Sequence, residues 1–495
     1  RFHARFLADT VEVERAIAIY EDLLSRGTPA LDFVDHLRLL YAQTGRYADA
    51  YAAWRRKWAT GLVYEEGNLL GDRFRNVEQL SARAAAEPGL EPRLAAGYAE
   101  VGWTDEARAL LGRVLAARPD DPEALRLLDS LDRTGRLIER VQEEVYAGYR
   151  AFVEDEGTTP IDETLERIEA HADECGFDLP EEEIEDLSLF HHFVNPHVGV
   201  DSALPTFFRS QGMLFVLFDY FGPVECNLKD LLLLDPARTR KVWDESVQYE
   251  VAVCESSRIY HFREFLGGSS YGGLAISPQG FWLDLDTYRR IARHISGYYL
   301  RHRSSYEALF NPADMPADRA PDAVYYSARL KERLAYLVGL QFADQAGGKT
   351  DRIEEDVTRA LVESAEYHEL GHLVVQRSYL PISANIFKGL GLLLTEGFSS
   401  EEIGAWSEEQ AQLTSLAHSD FPHLALYRTV SSLSKSAESS RHARGYRRIL
   451  AGFVEVILAS PGDYPNIRTD LPIVEQLHLL TGDQIRRIAA GLYRG

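Results

Sequence analysis

The sequence predicts a predominantly helical α+β fold: an N-terminal α-solenoid of paired helices, then a larger helical domain carrying a small sheet. Three observations predict it. The first 130 residues repeat themselves at matching offsets. Residues 191–345 alternate apolar and aromatic runs, such as Met213 to Phe221 and Leu231 to Leu234, with helical patterns. Beyond Asp351 the helical period returns and persists almost to the end, broken at Pro381, Pro422, Pro461 to Pro465 and Gly482. With 495 residues, 45% of them hydrophobic, the chain is long enough for two to four domains with real cores.

The repeat is read residue by residue. Leu37, Tyr41, Gly45, Ala50 and Trp54 recur as Leu94, Tyr98, Gly102, Ala107 and Leu111, with Pro119 beyond, and Ala16 and Tyr20 lie 34 positions before Ala50 and Trp54. Small Ala and Gly let paired helices approach, while Tyr and Trp fill the groove to the next pair. The segment resembles the tetratricopeptide repeat family, whose period is 34 residues. An offset of 57 between the two clear copies replaces that period, so one repeat is degenerate or about 23 residues are inserted between them. Residues 1–135 are therefore expected to be tetratricopeptide-like helices, presenting a concave face to a peptide or protein.

Residues 136–190 read as an acidic helical connector, interrupted at Gly157 to Pro160 and Asp178 to Pro180, with Glu181 to Glu185 as a solvated face. Residues 191–345 form the mixed α/β part of the second domain. Gly273 to Leu283 predicts two short strands around a turn at Pro278, whereas Thr239 to Val253 and Tyr288 to Ser304 predict helices. Residues 346–495 are the helical part that carries the chemistry.

That chemistry centres on His368-Glu369-Leu370-Gly371-His372, an H-E-x-x-H motif inside a proline-free helical pattern from Arg352 to Arg377. Four residues is just over one helical turn, so both imidazoles leave the same face and suit one metal ion, with Glu369 beside them. Such a site needs a third protein ligand and an open position for water. The metzincin continuation requires Gly at 375 and His at 378, where this chain has Val375 and Ser378, so a carboxylate is expected instead. Glu396 stands downstream among apolar neighbours, in Leu392-Leu393-Leu394-Thr395-Glu396-Gly397-Phe398-Ser399.

Thr395 to Ser399 resembles the third-ligand helix of the gluzincin metallopeptidases, in particular the Asn-Glu-Gly-Phe-Ala pattern of their aminopeptidase branch. The resemblance covers about 40 residues. It implies that His368, His372 and Glu396 hold Zn2+ and that Glu369 is the general base. Departures are the 23 residues between His372 and Glu396, against about 18 or 19 in the family, Ser400 where an Asp is usual, and a charged Glu366. Glu401 is the candidate to steady an imazidole ring from behind. Tyr446 and His442 are the favoured donors to a developing oxyanion, among His418, His423 and Tyr427 as well. Gly272 to Ile276 is the candidate edge strand for an extended substrate.

The resulting expectation is a zinc-dependent hydrolase, a metallopeptidase-like enzyme acting on a peptide or related amide. In outline the chain also resembles bacterial proteins that combine an H-E-x-x-H helix with repeat-like helices and have a His as third ligand; that resemblance implies a second reading, a non-haem iron, 2-oxoglutarate-dependent peptide hydroxylase, and two His and one carboxylate suit Fe2+ as well as Zn2+. A third, from outside enzymology, is an inactive scaffold that binds protein partners. Glu369-His372 and Glu475-His478 also make the E-x-x-H pairs of di-iron bundles, a weaker match. His191, His192 and His197 read as ordinary polar or capping residues.

Composition excludes other classes. With 77 acidic against 53 basic side chains and a net charge of -24, nucleic acid and anionic membranes are disfavoured. Gly267 to Gly273 and Gly389 to Gly391 lack the Lys and strand-to-helix setting of phosphate loops. Three scattered cysteines fit neither a disulfide framework nor a thiolate metal site, which points to the cytoplasm. The first residue is Arg1, compatible with a trimmed leader.

Overall fold

The computed structural model describes residues 13–25, 37, 40–41, 44–46, 49–50, 69–153 (except 85, 88 and 102), 160–177, 179, 198–199, 204–210, 213–218, 225–256, 273–277, 280–304, 319–345, 350–379, 390–392, 394, 399–435 and 440–494. It is mostly helical with a small sheet component, a predominantly helical α+β fold. Two compact units divide the chain. The first comprises Arg1–Glu183, His197–Asp235 and Ala252–Ser269, and the second Ile184–Pro196, Pro236–Val251 and Ser270–Gly495.

Among the described residues the first unit opens with helices α1 (Val13–Ser25), α2 (Leu69–Ala84), α3 (Glu91–Glu100), α4 (Thr104–Ala117), α5 (Pro122–Val153) and α6 (Ile161–Glu174). Local chemistry sets their starts. Pro92 occupies the first turn of α3, where an amide hydrogen has no helical partner, and the Asp121 carboxylate accepts from the Ala124 amide at 3.0 Å to open α5 behind Pro122. The repeat positions fill the interior: Ala16, Tyr20, Leu37, Tyr41, Ala50, Leu94, Tyr98, Ala107 and Leu111 are all buried. A Cβ on Gly97 would come within 2.9 Å of Val77 Cγ2, so α2 and α3 meet where a side chain is missing. Trp54 and Gly102 lie outside the described residues.

The connector expected from residue 136 is not a separate element at its start, because α5 runs unbroken through that point for 32 residues. Its apolar stripe, Leu137, Ile138, Val141 and Val145, repeats at helical spacing and joins Leu165 and Ile168 of α6. The same core takes in α7 (Leu204–Ser210), β2 (Met213–Phe218) and the first part of β3 (Glu225–Val242), with Phe208 stacked on Phe215 at 4.8 Å. A two-residue β1 (Val198–Gly199) pairs antiparallel with β2, and β2 with β3.

The second unit takes the end of β3, most of β4 (Glu245–Ser256), then β5 (Gly273–Ser277) and β6 (Gly280–Asp284), in the order β3-β4-β6-β5. Where a helix over 239–253 is expected, the chain forms a hairpin instead. The cause is a period of two: Val247, Tyr249 and Val251 are buried while Ser246 and Gln248 are exposed. The turn holds Trp243 at φ 55°, a left-handed conformation fixed from outside. The His418 ring nitrogen Nε2 accepts its amide at 3.1 Å, its indole donates to Thr414 Oγ1 at 3.2 Å, and Tyr493 stacks on it at 3.9 Å. The second hairpin is the one the sequence predicts, with Leu274 opposite Trp282 and Ala275 opposite Phe281. Its β5 lies at the end of the strand order.

Among the described residues the helices that follow are α8 (Leu285–His302), α9 (Ala328–Gln345), α10 (Thr350–Tyr379), α11 (Ser400–His418), α12 (Pro422–Lys435), α13 (Arg441–Ala459) and α14 (Gly482–Leu492), with 3-10 turns at Pro461–Asp463 and Val474–Leu479. Asp284 caps α8 by accepting from the Asp286 amide at 3.2 Å, and Ser440 caps α13 by accepting from the Ala443 amide at 3.2 Å. Helix α10 packs against α8, α11, β5 and β6, and α11 also packs against α13. No described helix is long and apolar enough to cross a membrane. All three cysteines are free, Cys226 and Cys254 buried.

Candidate metal centre

The H-E-x-x-H motif sits in the C-terminal half of α10, a 30-residue helix without proline. One helical turn apart, the His368 and His372 rings meet edge to face with centroids 4.9 Å apart. His368 and Glu369 are each 5% exposed, so these polar groups are inside the unit and need partners there.

The facing carboxylate is Glu408, on α11. Its Oε2 lies 3.5 Å from His368 Nε2 and its Oε1 3.7 Å from His372 Nε2. Among the described residues these three form the one group whose donor atoms all lie within 4.8 Å of one another. Tetrahedral zinc ligands at about 2.0–2.1 Å stand about 3.4 Å from each other, so the observed separations suit a shared ion. Glu408 Oε2 is buried and makes no hydrogen bond, and His368 Nδ1 is in the same state. A buried carboxylate that faces the Nε2 atoms of His368 and His372 through its two oxygens, one of them without a hydrogen bond, fits a cation.

Two glycines explain why α11 reaches the motif. A Cβ on Gly371 would stand 2.6 Å from Ala411 Cα and 2.9 Å from Thr414 Oγ1, so the Gly of the motif lets α10 and α11 touch at backbone distance. Ala411 is three residues past Glu408, which places that carboxylate level with His368 and His372. On the opposite side of α11, a Cβ on Gly445 would stand 2.5 Å from the Ala405 carbonyl and 3.3 Å from Glu408 Cβ, bringing α13 equally near. Gly445 is flanked by His442 and Tyr446. His442 Nε2 consequently lies 3.3 Å from Glu408 Oε2, and the Tyr446 ring packs 5.9 Å from the His442 ring. His442 thus meets Glu408, and Tyr446 meets His442.

Behind the rings, Ser407 Oγ pairs with His372 Nδ1 at 3.1 Å, leaving Nε2 to face Glu408. That supporting contact was expected from Glu401, which is instead exposed and 3.9 Å from Arg441. Glu366, the charge foreign to the expected pattern, anchors α10 to the sheet. It accepts from Arg240 Nε at 2.9 Å, Arg240 Nη2 at 3.1 Å and Arg238 Nη1 at 3.5 Å, and from the Tyr249 hydroxyl.

The electrostatics follow from burial and charge. Burial pushes His368 down to about 4, helped by His372 and Arg428 and opposed by Glu408, so its imidazole is neutral with a lone pair free. Burial also works against charge on His372, but the Glu408 carboxylate outweighs it and raises that group. For Glu408, burial favours the proton, yet His442, His372 and His368 together hold it well below the usual carboxylate range. Tyr446 is held well above 10, first by burial and then by the carboxylates Glu408 and Glu369, so it stays a phenol.

Other histidines serve the fold. His418 accepts from the Trp243 amide, and His423 Nε2 pairs with the Leu480 carbonyl at 2.7 Å. Glu475 accepts from Ser327 Oγ at 2.7 Å and Tyr325 Oη at 3.1 Å, on a 3-10 turn rather than a bundle helix, so it serves packing there. Tyr427 is buried. Glu396 lies outside the described residues, as do His191, His192 and His197.

Sequence reasoning missed Glu408, although a signal existed. Between Ile403 and Ala417 the helix carries no charges except Glu408 and Glu409, and its polar residues Gln410, Gln412, Thr414 and Ser415 are fully buried. Glu409 is met by Arg448 at 3.6 Å, which leaves Glu408 for the imidazoles. The chain matches no protein-family model, no curated protein and no solved structure.

Proposed function

We propose that the chain is a metal-dependent hydrolase of peptides or related amides, with the ion held by His368, His372 and Glu408. The observation that carries this reading is the convergence of two imidazole Nε2 atoms and one buried carboxylate beside the Glu of an H-E-x-x-H turn. A divalent ion bound there supplies Lewis acidity, lowering the pKa of water towards about 7 and polarising a carbonyl. Glu369, close enough to Tyr446 and His372 to act on both charges, takes the proton of the attacking water. Tyr446, kept protonated, donates a hydrogen bond to the oxyanion, and His442 presents its imidazole from the same helix. Strand β5, at the end of the sheet and packed against α10, offers backbone groups to an extended substrate. The tetratricopeptide-like helices of the first unit present a peptide or protein to be processed.

The donor set accepts Zn2+ and Fe2+ alike, and elemental analysis of protein purified without added metal distinguishes them. One divalent ion per chain is expected. Glu408→Ala should lose it, whereas Glu369→Gln should retain it and fail to hydrolyse amides, since only proton transfer is removed. Metal-free wild-type protein that cannot be loaded, or full occupancy in Glu408→Ala, overturns the proposal.

A further inference from the structure

Among the described residues, Arg428 is an arginine without an acid. It lies on α12, partly buried, in a chain with 24 more acidic than basic side chains. Other arginines of the second unit are matched: Arg240 and Arg238 with Glu366, Arg293 with Glu354, Arg444 and Arg448 with Glu402. Among the described residues, no carboxylate comes within ion-pair distance of Arg428. Its contacts are a long hydrogen bond from Nη1 to Ser364 Oγ at 3.4 Å and the face of Tyr288 at 5.8 Å. A hydroxyl and an aromatic face leave most of five guanidinium donors unused, and a partly buried cation without a counter-ion is costly.

Its position gives that cost a use. Ser364 is one helical turn before His368 on α10, so it lies on the same face at about 5–6 Å. Ser364 is itself fixed, sharing a 2.9 Å hydrogen bond with Ser415 Oγ of α11, and Ser415 donates back to the Ser364 carbonyl at 2.7 Å. The guanidinium is therefore held one turn from the imidazoles on the face that meets α11. Its charge reaches both His368 and Tyr446, lowering the proton affinity of each.

We propose that Arg428 is the seat for a carboxylate of the substrate or co-substrate, bound one helical turn from His368. The inference rests on the metal-centre reading above and narrows it. A planar guanidinium takes a carboxylate through two parallel hydrogen bonds, and Tyr288 beneath it keeps the fork in place. Two sources share that chemistry: the free C-terminus of a peptide, which makes the enzyme a carboxypeptidase, or a small oxo-acid such as 2-oxoglutarate.

The test is calorimetric binding to metal-loaded full-length protein, using N-acetyl-Ala-Ala, its C-terminal amide and 2-oxoglutarate as probes. Metal content is measured in parallel. Wild type should bind one of the acids at least tenfold more tightly than the neutral amide. Arg428→Gln should keep one metal per chain and lose that preference, and Arg428→Lys should recover part of it. Preference for the peptide acid identifies a C-terminus as the source, and preference for 2-oxoglutarate identifies the oxo-acid; both support the seat. Equal binding of acids and amide by wild type, or an unchanged preference in folded, metal-loaded Arg428→Gln, overturns it. Failure of wild type to take up metal would instead strike the metal centre, and the two failures are read from different measurements.

Discussion

Glu366 and Glu408 are both acids inside the second unit, and their surroundings assign them different tasks. Glu366 is 2% exposed and meets two guanidinium groups and a phenol. Its removal takes the carboxylate away from Arg240 and from the buried Tyr249 hydroxyl, so Glu366→Ala should destabilise the protein by about 3–5 kcal/mol, the usual cost of breaking a buried pair from one side. Urea unfolding checks this; a loss below about 1 kcal/mol would show the arginines re-solvating freely. Among the described residues Glu408 pairs with imidazoles alone, and its Oε2 has no hydrogen bond. The difference bears on what a sequence displays. His368, Glu369 and His372 were legible because helical periodicity alone brings them together. Glu408 was not, since it follows His372 by 36 residues and its approach depends on the missing side chains of Gly371 and Gly445. A short-gap carboxylate such as Glu396 was the natural expectation from local pattern.

Helix contacts carry the same lesson one level up. Helices α10, α11 and α13 are stacked through glycines, and a stack of this kind has little tolerance at its contact points. Inside a helix, Gly→Ala normally stabilises by about 0.5–1 kcal/mol. At Gly371 the new Cβ would overlap backbone, Ala411 Cα at 2.6 Å, so overpacking should win and Gly371→Ala should cost about 1–3 kcal/mol net. Because α11 must retreat from α10, metal affinity should fall at least tenfold as well. Thermal melting and metal titration of the one variant test both parts, and a stabilised variant with wild-type affinity would contradict the contact. Elements were legible where one signal dominated: strands β5 and β6 and the 350–379 helix are close to their expected bounds. The 239–253 stretch misled because Arg, Lys and Glu at its turn resemble a charged helix face. Its strand identity rests on Val247, Tyr249 and Val251 packing inward, and on Trp243 being clamped by α11 and Tyr493.

Charge and burial across the fold also set its response to acid. At a net charge of -24 the folded chain repels itself, so mild acidification, by protonating carboxylates, should relieve strain and stabilise it. Buried histidines act in the opposite direction. His478 is 5% exposed on the 3-10 turn before α14, and burial, reinforced by the charge of Arg333, lowers it to about 3. Burial likewise lowers His423, with the Leu480 carbonyl opposing and Arg486 adding to the effect. An imidazole lowered by folding takes up its proton in the unfolded chain first. Between about pH 6.5 and about pH 3 the unfolded state then binds the extra proton, and stability must fall as pH falls. The full contribution of His478 is present above about pH 6.5 and is lost progressively below it, by up to about 1.4 kcal/mol per pH unit. His478→Gln removes the titrating group, so the variant should be less stable near neutral pH yet lose less stability between pH 6.5 and pH 4.5 than wild type. Chemical denaturation at several pH values in that window measures the difference directly. Parallel stability curves for the two proteins would mean that His478 is as easily protonated folded as unfolded, and that the Val474–Leu479 turn is open to water.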